Sequence, residues 1–446
     1  MMSASKWKPY PINKPLKLGS VEEIPSNWDL VKIKHVVNNL VSGGTPDSGN
    51  DDFWSDDDTG IPWVSISDMS TVDFVDTTVK RITNLGLEAK RLPILRKGTI
   101  IYSIYASIGK VSVLDIDATV NQAILGLHGL VETDTDFLVY WLKHLEESIS
   151  LYSSSNTQLN LNADIVGNLP VLRPPLMEQK VISKFLNKKT LDISNSINYF
   201  ETQLDLLKEK RSALITQAVT KGINPNVPMK DSGIDWYGEI PKHWNLLKMN
   251  YVVNDITDID HYMPKSIDEG VPYLMTGDLK DRVSEINFQD CKQVSDSDFQ
   301  NLSKKVRTSK GDVILARYAT IGTASYVDIE RDFLVSYSCV TVKPNIALVE
   351  GLFMYYFFKS DAFKGGAQYY TNTGTQGNVG VGDLKKIKMV LPTLDEQSKI
   401  IKYLNLNVSI LDKLSDSIKK NIGMLNEYRT SLISSAVTGK IDVREL

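Results

Sequence analysis

The chain repeats itself once. Residues 24–37, IPSNWDLVKIKHVV, recur at 240–253 as IPKHWNLLKMNYVV, an offset of 216 in a chain of 446. Further blocks follow in the same order: KGTIIYSIYASIGK at 97–110 answers KGDVILARYATIGT at 310–323, and PPLMEQKVISKFLN at 174–187 answers PTLDEQSKIIKYLN at 392–405. Last, EKRSALITQAVTKGI at 209–223 answers EYRTSLISSAVTGKI at 427–441. A repeat this long is not a solenoid unit, whose period is about 20–50 residues. It implies two similar modules, each large enough to hold its own core.

Each module divides into a mixed front and a helical back. Residues 24–172 carry short β-branched and aromatic runs, such as TIIYSIY and VSVLDI, between Gly, Asp and Asn turns, which is a strand-rich α+β pattern. The period turns helical at 137–152, FLVYWLKHLEESISLY, and again at LFMYYFFKSDAF from Leu352. Pro174 and Pro175 suit a helix entry, and neither Pro nor Gly follows until Gly222. About 46 residues are thereby free to run as one helix, roughly 69 Å long. Within it Ile193, Ile197, Phe200, Leu204, Leu207, Arg211, Leu214 and Ala218 step alternately by four and three, a coiled-coil seam. Adding 218 gives Leu411, Ser415, Ile418, Ile422, Leu425, Arg429, Leu432 and Ala436, the same register with the same Arg inside it. Matching seams predict that the two helices pack on each other in antiparallel fashion. The expected layout is an N-terminal arm and first strand-rich domain (1–172), a first long helix (173–222), a connector (223–239), a second domain (240–391), and a second long helix with a tail (392–446).

Composition removes several functional classes. Cys291 and Cys339 show no paired spacing, against a disulfide framework or a zinc site, and a reducing cytoplasm fits them. No apolar run approaches the roughly 18–20 residues of a membrane span, and the first residues carry no signal-peptide pattern, so a cytoplasmic protein without membrane contact is expected. Walker A, HExxH and GxSxG sequences are absent, and His35, His128, His144, His243 and His261 lack metal-ligand spacing. Neither catalytic residues nor a metal site is expected. Trp28 and Trp244, which answer each other in the repeat, read as core or interface anchors.

The order of domain, long helix, domain, long helix, with PPLMEQKVISKFL and PTLDEQSKIIKYL opening the helices and KEKRSALITQAVTKGI and NEYRTSLISSAVTGKI closing them, resembles the specificity subunit of type I restriction-modification systems. The resemblance extends over essentially the whole chain, including the connector KDSGIDWYGEIPKHW. It implies a non-catalytic subunit whose two domains are target recognition domains, each reading half of a split, asymmetric DNA site. The long helices are then the spacer between half-sites and the platform for two methyltransferase subunits, with endonuclease subunits as further partners. S-adenosylmethionine and ATP with Mg are expected on those partners and no cofactor on this chain. The formal charge of −4 gives no overall attraction to phosphates, so this reading requires local basic clusters or contacts supplied by partners. A stand-alone tandem DNA-binding or anti-restriction adaptor protein is the alternative.

Two residue sets follow. DNA contact is expected on polar, Gly-containing loops: Ser42, Gly43, Gly44 and Thr45; Tyr105, Ser107 and Lys110; Asn156 and Gln158; Arg317, Tyr318 and Thr320; and Thr373, Thr375, Gln376 and Asn378. Arg317 and Gln376 are of the types that read guanine and adenine edges. Subunit or helix interfaces are expected at Leu176, Glu178, Gln179, Phe200, Leu204, Leu207 and Arg211, and at Leu394, Glu396, Gln397, Ile418, Ile422, Leu425 and Arg429.

Overall fold

The computed structural model describes residues 7–19, 21–105, 107–146, 148–149, 160–259, 261–318, 320–371 and 378–445. Contacts divide the chain into two units, Met1–Tyr199 with Asn421–Leu446, and Phe200–Lys420.

In the first unit the central sheet has the order Val37–Ser42, Ile124–Leu130, Ile100–Ser103, Val111–Leu114 and Phe74–Val75. All pairs are antiparallel except the last. Ile100–Ser103 and Val111–Leu114 are buried along their whole length, which explains their apolar composition without alternation. A smaller sheet joins Thr119–Val120, Ile61–Val64, Lys80–Ile82 and Trp54–Ser55. The second unit repeats the plan. Val253–Thr257, Cys339–Pro344, Val313–Ala316 and Ala324–Tyr326 form its central sheet, and Lys292–Val294, Val271–Leu274 and Leu334–Val335 the smaller one. Each unit also closes its front part with one strand pair, Asp29–Lys32 with Pro170–Arg173 and Asn245–Lys248 with Lys388–Leu391. The class is α+β, built twice.

The helical reading holds for the long elements and for both short runs, with bounds of their own. Leu176–Lys221 is one helix of 46 residues and Leu394–Val437 one of 44. The helix expected over 137–152 spans Thr135–Leu145. The run LFMYYFFKSDAF, read as helical, forms two helices, Gly351–Lys359 and Asp361–Tyr370. Ser360 breaks it: its backbone is extended, and its hydroxyl accepts from Phe363 N at 3.2 Å as an N-cap.

The Leu-x-Glu-Gln start of each long helix has a structural meaning. Gln179 Nε2 donates to Pro174 O at 2.8 Å and Glu132 O at 3.2 Å, while its Oε1 accepts from Asp134 N at 2.9 Å. Gln397 repeats this with Pro392 O, Leu348 O and Glu350 N. Each glutamine thus ties its long helix to the start of the helix lying on the sheet. Glu178 accepts from Tyr10 Oη at 2.7 Å, Trp28 Nε1 at 2.9 Å and Asn27 Nδ2 at 2.9 Å. Glu396 lies 2.7 Å from His243 Nε2 and accepts from Trp244 Nε1 at 3.1 Å.

The same tryptophans meet the end of the other long helix. Gly439 has φ +73, and a Cβ there would lie 2.4 Å from Pro25 and 3.4 Å from Trp28. Gly222 has φ +79, and a Cβ there would lie 3.2 Å from Trp244. Only glycine combines the left-handed turn after a helix with so close an approach. In the first unit the start of one long helix and the end of the other therefore meet at Trp28, while further along Arg429 Nη2 donates to Ser194 Oγ at 3.2 Å. In the second unit the corresponding ends meet at Trp244, and Arg211 Nε donates to Asp412 Oδ1 at 3.2 Å. Both facts require antiparallel packing. Along the seams no residue is exposed: Ile193, Ile197, Ala218, Leu411, Ile418, Leu432 and Ala436 are buried, and Phe200, Leu204, Leu207, Leu214, Ile422 and Leu425 half-buried.

The Glu396 clamp carries a pH signature. Burial works to raise its pKa, but hydrogen bonds from His243, Trp244 and Thr393 overcome it and bring the carboxyl to about 2, from an ordinary 4.5. A depressed carboxyl contributes stability that is complete above its unfolded pKa and is lost as pH falls through the folded one. The second unit should therefore lose stability between about pH 4.5 and pH 2. Urea midpoints measured across that window should fall less steeply for Glu396→Gln than for the native chain, and equal slopes would refute the assignment.

Candidate nucleic-acid interface

Antiparallel pairing brings several of the expected loops to one end of each central sheet. In the first unit Val37–Ser42 and Ile100–Ser103 end where Ile124–Leu130 and Val111–Leu114 begin. The segments that start at Ser42 and Ile104 therefore leave the sheet side by side. Leu161 N donates to Ile104 O at 3.1 Å, which adds the described end of the third expected stretch. The second unit is equivalent: Val379 N donates to Arg317 O at 3.1 Å, and Tyr318 and Asn378 form a β-bridge. Asn156, Gln158, Thr373, Thr375 and Gln376 lie outside the described residues.

Local sequence explains the loop shapes. Gly43 N and Gly44 N bond Ile124 O and Val120 O, at 3.3 and 2.9 Å. A Cβ on Gly43 would fall 2.1 Å from Val120 O, so this position admits no side chain without moving backbone. Trp63 Nε1 donates to Gly44 O at 2.9 Å, and the Thr45 hydroxyl donates to Gln122 Oε1. In the next loop Lys110 N donates to Ser103 Oγ at 2.9 Å, the Ser103 hydroxyl bonds Ser107 O, and Lys110 Nζ pairs with Glu146 at 2.6 Å. Tyr105 and Ser107 stay exposed.

Arg317 is 6% exposed. Its Nη2 lies 2.6 Å from Asp258 Oδ2 and 3.3 Å from His261 Nε2, and its guanidinium sits over the Tyr318 ring at 4.5 Å. Its Nε is buried with no hydrogen-bond partner among the described residues. The arginine thus spends part of its donor set inside the domain, on Asp258 and His261. His261 stacks on Tyr337 with ring centroids 4.9 Å apart and is itself largely exposed, as is Tyr262 beside it. Thr320 is exposed, and Tyr318 and Asn378 are half-buried.

Asp258, His261 and Tyr337 are absent from the set read from sequence. Strand register shows what Asp258 is: Ser42 pairs with Leu125, and Thr257 pairs with Thr341 in the equivalent strands, so the segment after Thr257 takes the place of SGGTP. No letters are shared between SGGTP and DIDHY; the repeat offset of 216 sets Ser42 opposite Asp258, and the strand pairing agrees with it. Among the described residues, no cluster of three His, Cys, Asp or Glu side chains is arranged to hold a metal, and no helix is long and apolar enough to cross a membrane.

The interface residues of the second set take two forms. Glu178, Gln179 and Gln397 are buried and bonded inside their own units, whereas Leu176 and Leu394 are 39% and 40% exposed at the helix starts. Phe200, Leu204, Leu207, Ile418, Ile422 and Leu425 line the helix seam. Arg211 and Arg429 bond across it.

Comparison with known proteins agrees with this duplication. The family model for the type I restriction modification DNA specificity domain matches residues 25–199 and again 258–423. A putative type I restriction enzyme MjaX specificity subunit of Methanocaldococcus jannaschii is 24% identical over 458 residues, covering 96% of this chain and 97% of its own. The EcoBI specificity subunit of Escherichia coli is 20% identical over 313 residues, 68% of this chain and 65% of its own. Among solved structures, a chain from a type I R-M system studied for its complex assembly and conformational transition has the same fold, with TM-score 0.68 and 15% identity over 96% of this chain and all of that one. The HsdS subunit of Thermoanaerobacter tengcongensis gives TM-score 0.50 at 15% identity over the same shares. With both halves matched by one family model and the fold shared throughout, the chain belongs to the type I restriction-modification DNA specificity family and is a DNA sequence-recognition subunit.

Proposed function

We propose that the chain reads a bipartite, asymmetric DNA sequence, one half-site with each domain, and that the paired helices scaffold two adenine methyltransferase subunits, with endonuclease subunits joining the complex. The chemistry, with S-adenosylmethionine and ATP with Mg, belongs to those partners. One observation carries the reading: the same sheet end is built twice and furnished differently, with Ser42–Thr45 and Ile104 in one unit and Asp258, His261 and Arg317 in the other. Equal scaffolds with unequal loops suit a reader of two different half-sites. Base edges are read by side-chain donors and acceptors, and phosphate contacts by backbone amides and cations. The net charge of −4 makes partner-supplied phosphate contacts part of the proposal.

Co-expression with a cognate type I methyltransferase subunit, in a host lacking adenine methylation, tests it. Single-molecule sequencing should reveal N6-methyladenine at a split motif with a fixed spacer, absent when this chain is omitted. Arg317→Leu should alter the second half-site and leave the first unchanged. Equal loss at both halves would defeat the two-reader assignment.

A further inference from the structure

The two copies of the seam arginine have different surroundings. In the second unit Arg211 Nη2 donates to Asp281 Oδ2 at 2.6 Å and Nε to Asp412 Oδ1 at 3.2 Å, and Lys359 Nζ meets Asp281 Oδ1 at 2.8 Å. Burial acts against the charge of Arg211, and Asp281 and Asp412 more than offset it. In the first unit Arg429 stands for Arg211, Ser194 for Asp412, and the Lys143–Asp73 pair, at 2.6 Å, for Lys359 and Asp281. Arg429 reaches only Ser194 Oγ, at 3.2 Å, and its Nε is buried with no hydrogen-bond partner among the described residues. The donor that holds Asp412 in one copy is therefore idle in the other.

Beside that idle donor lies a cleft of about 670 Å³, whose walls include Asp73, Phe74, Tyr140, Lys143, Asn187 and Arg429. Lys143 is paired with Asp73, and Lys110 with Glu146. Asp136 accepts from Asn187 Nδ2 at 2.6 Å. Arg429 is left as the cation of the cleft with no carboxylate within ion-pair distance among the described residues.

We propose that this cleft receives one carboxylate side chain from a peptide segment of a partner subunit, gripped by Arg429 Nε and Nη2 as Asp412 and Asp281 are gripped by Arg211. The internal copy supplies the argument for a carboxylate, because the same arginine position is already satisfied by two of them. A phosphate chain fits less well, since Lys143 and Lys110 on the same walls are already paired and leave a single arginine to meet several negative charges. The two copies are then unequal: the second is satisfied internally and the first is open. The inference rests on the reading of the chain as a scaffold.

Ser194→Asp places in the first unit the residue that the second carries at 412, and it should close the site from within. Native mass spectrometry and titration calorimetry of the full-length chain with the cognate methyltransferase subunit provide the measurement. The native chain should bind two copies; Ser194→Asp should weaken one binding event at least tenfold and leave the other unchanged, with the unfolding midpoint equal or higher. Arg429→Gln, which removes the cation without adding a carboxylate, should weaken the same event. Two unchanged affinities in both variants would overturn the inference and leave the scaffold reading standing. Absence of any binding by the native chain would overturn both.

Discussion

Trp28→Ala should destabilise the first unit by about 4 kcal/mol, in the range typical of large aromatic residues deleted from a well-packed core. Trp28 has no exposed surface. It packs edge-on against Tyr10 and Phe137 at 5.7 and 6.5 Å, holds Glu178, and lies against the Gly439 turn. Its loss opens a cavity where, in the first unit, a helix start and a helix end are both fixed. Denaturant unfolding, with hydrogen exchange resolving residues 421–445, should show that segment loosening first. A loss under about 1 kcal/mol would mean that the clamp is not a core element.

Glu178→Ala should cost about 3 kcal/mol, because it strands the buried donors of Tyr10 and Trp28, which share the carboxylate with the exposed Asn27. Burial, followed by the Glu178 contact, pushes the Tyr10 hydroxyl above its ordinary pKa, so it remains a donor across the accessible pH range. Glu178→Gln should cost less, since its one amide oxygen still serves Tyr10 and Trp28 while its NH₂ faces Asn27. The Trp28→Ala and Glu178→Ala double variant should fall short of additivity by about 1–2 kcal/mol, as neighbours in one network do. Additive losses would place the two residues in separate networks.

Much of the fold was legible because the repeat constrains it. The 46-residue helix follows from the absence of Pro and Gly between Pro175 and Gly222, and the seam from alternating steps of four and three. Trp28 and Trp244 were readable as anchors, and burial bears this out. What the letters did not carry is pairing over long separations. Whether Phe357 and Phe363 share a helix is decided by the Ser360 cap, a single residue whose competing preference the periodicity hides. Asp258 and His261 escaped notice because DIDHY shares no letter with SGGTP, although the offset of 216 sets Asp258 opposite Ser42, and their contacts with Arg317 arise only on folding. The partner of Arg317, 59 residues away, has no signal in sequence at all. For the same reason the two seam arginines read as identical, although one meets two carboxylates and the other a serine.

The composition of the units sets an order for biosynthesis. The second unit is one unbroken stretch, Phe200–Lys420, whereas the first needs residues from both ends of the chain. Its core includes Leu432, Ala436 and Val437 alongside Trp28 and Phe137. On a ribosome adding about 5–20 residues per second, the first-made domain waits roughly 10–40 s, while the intervening unit is translated, before its closing segment emerges. The part of the protein that is born first is thus the part that matures last. Until residues 421–445 leave the exit tunnel, the apolar face of Leu176–Lys221 near its start is a surface for chaperones rather than a finished core.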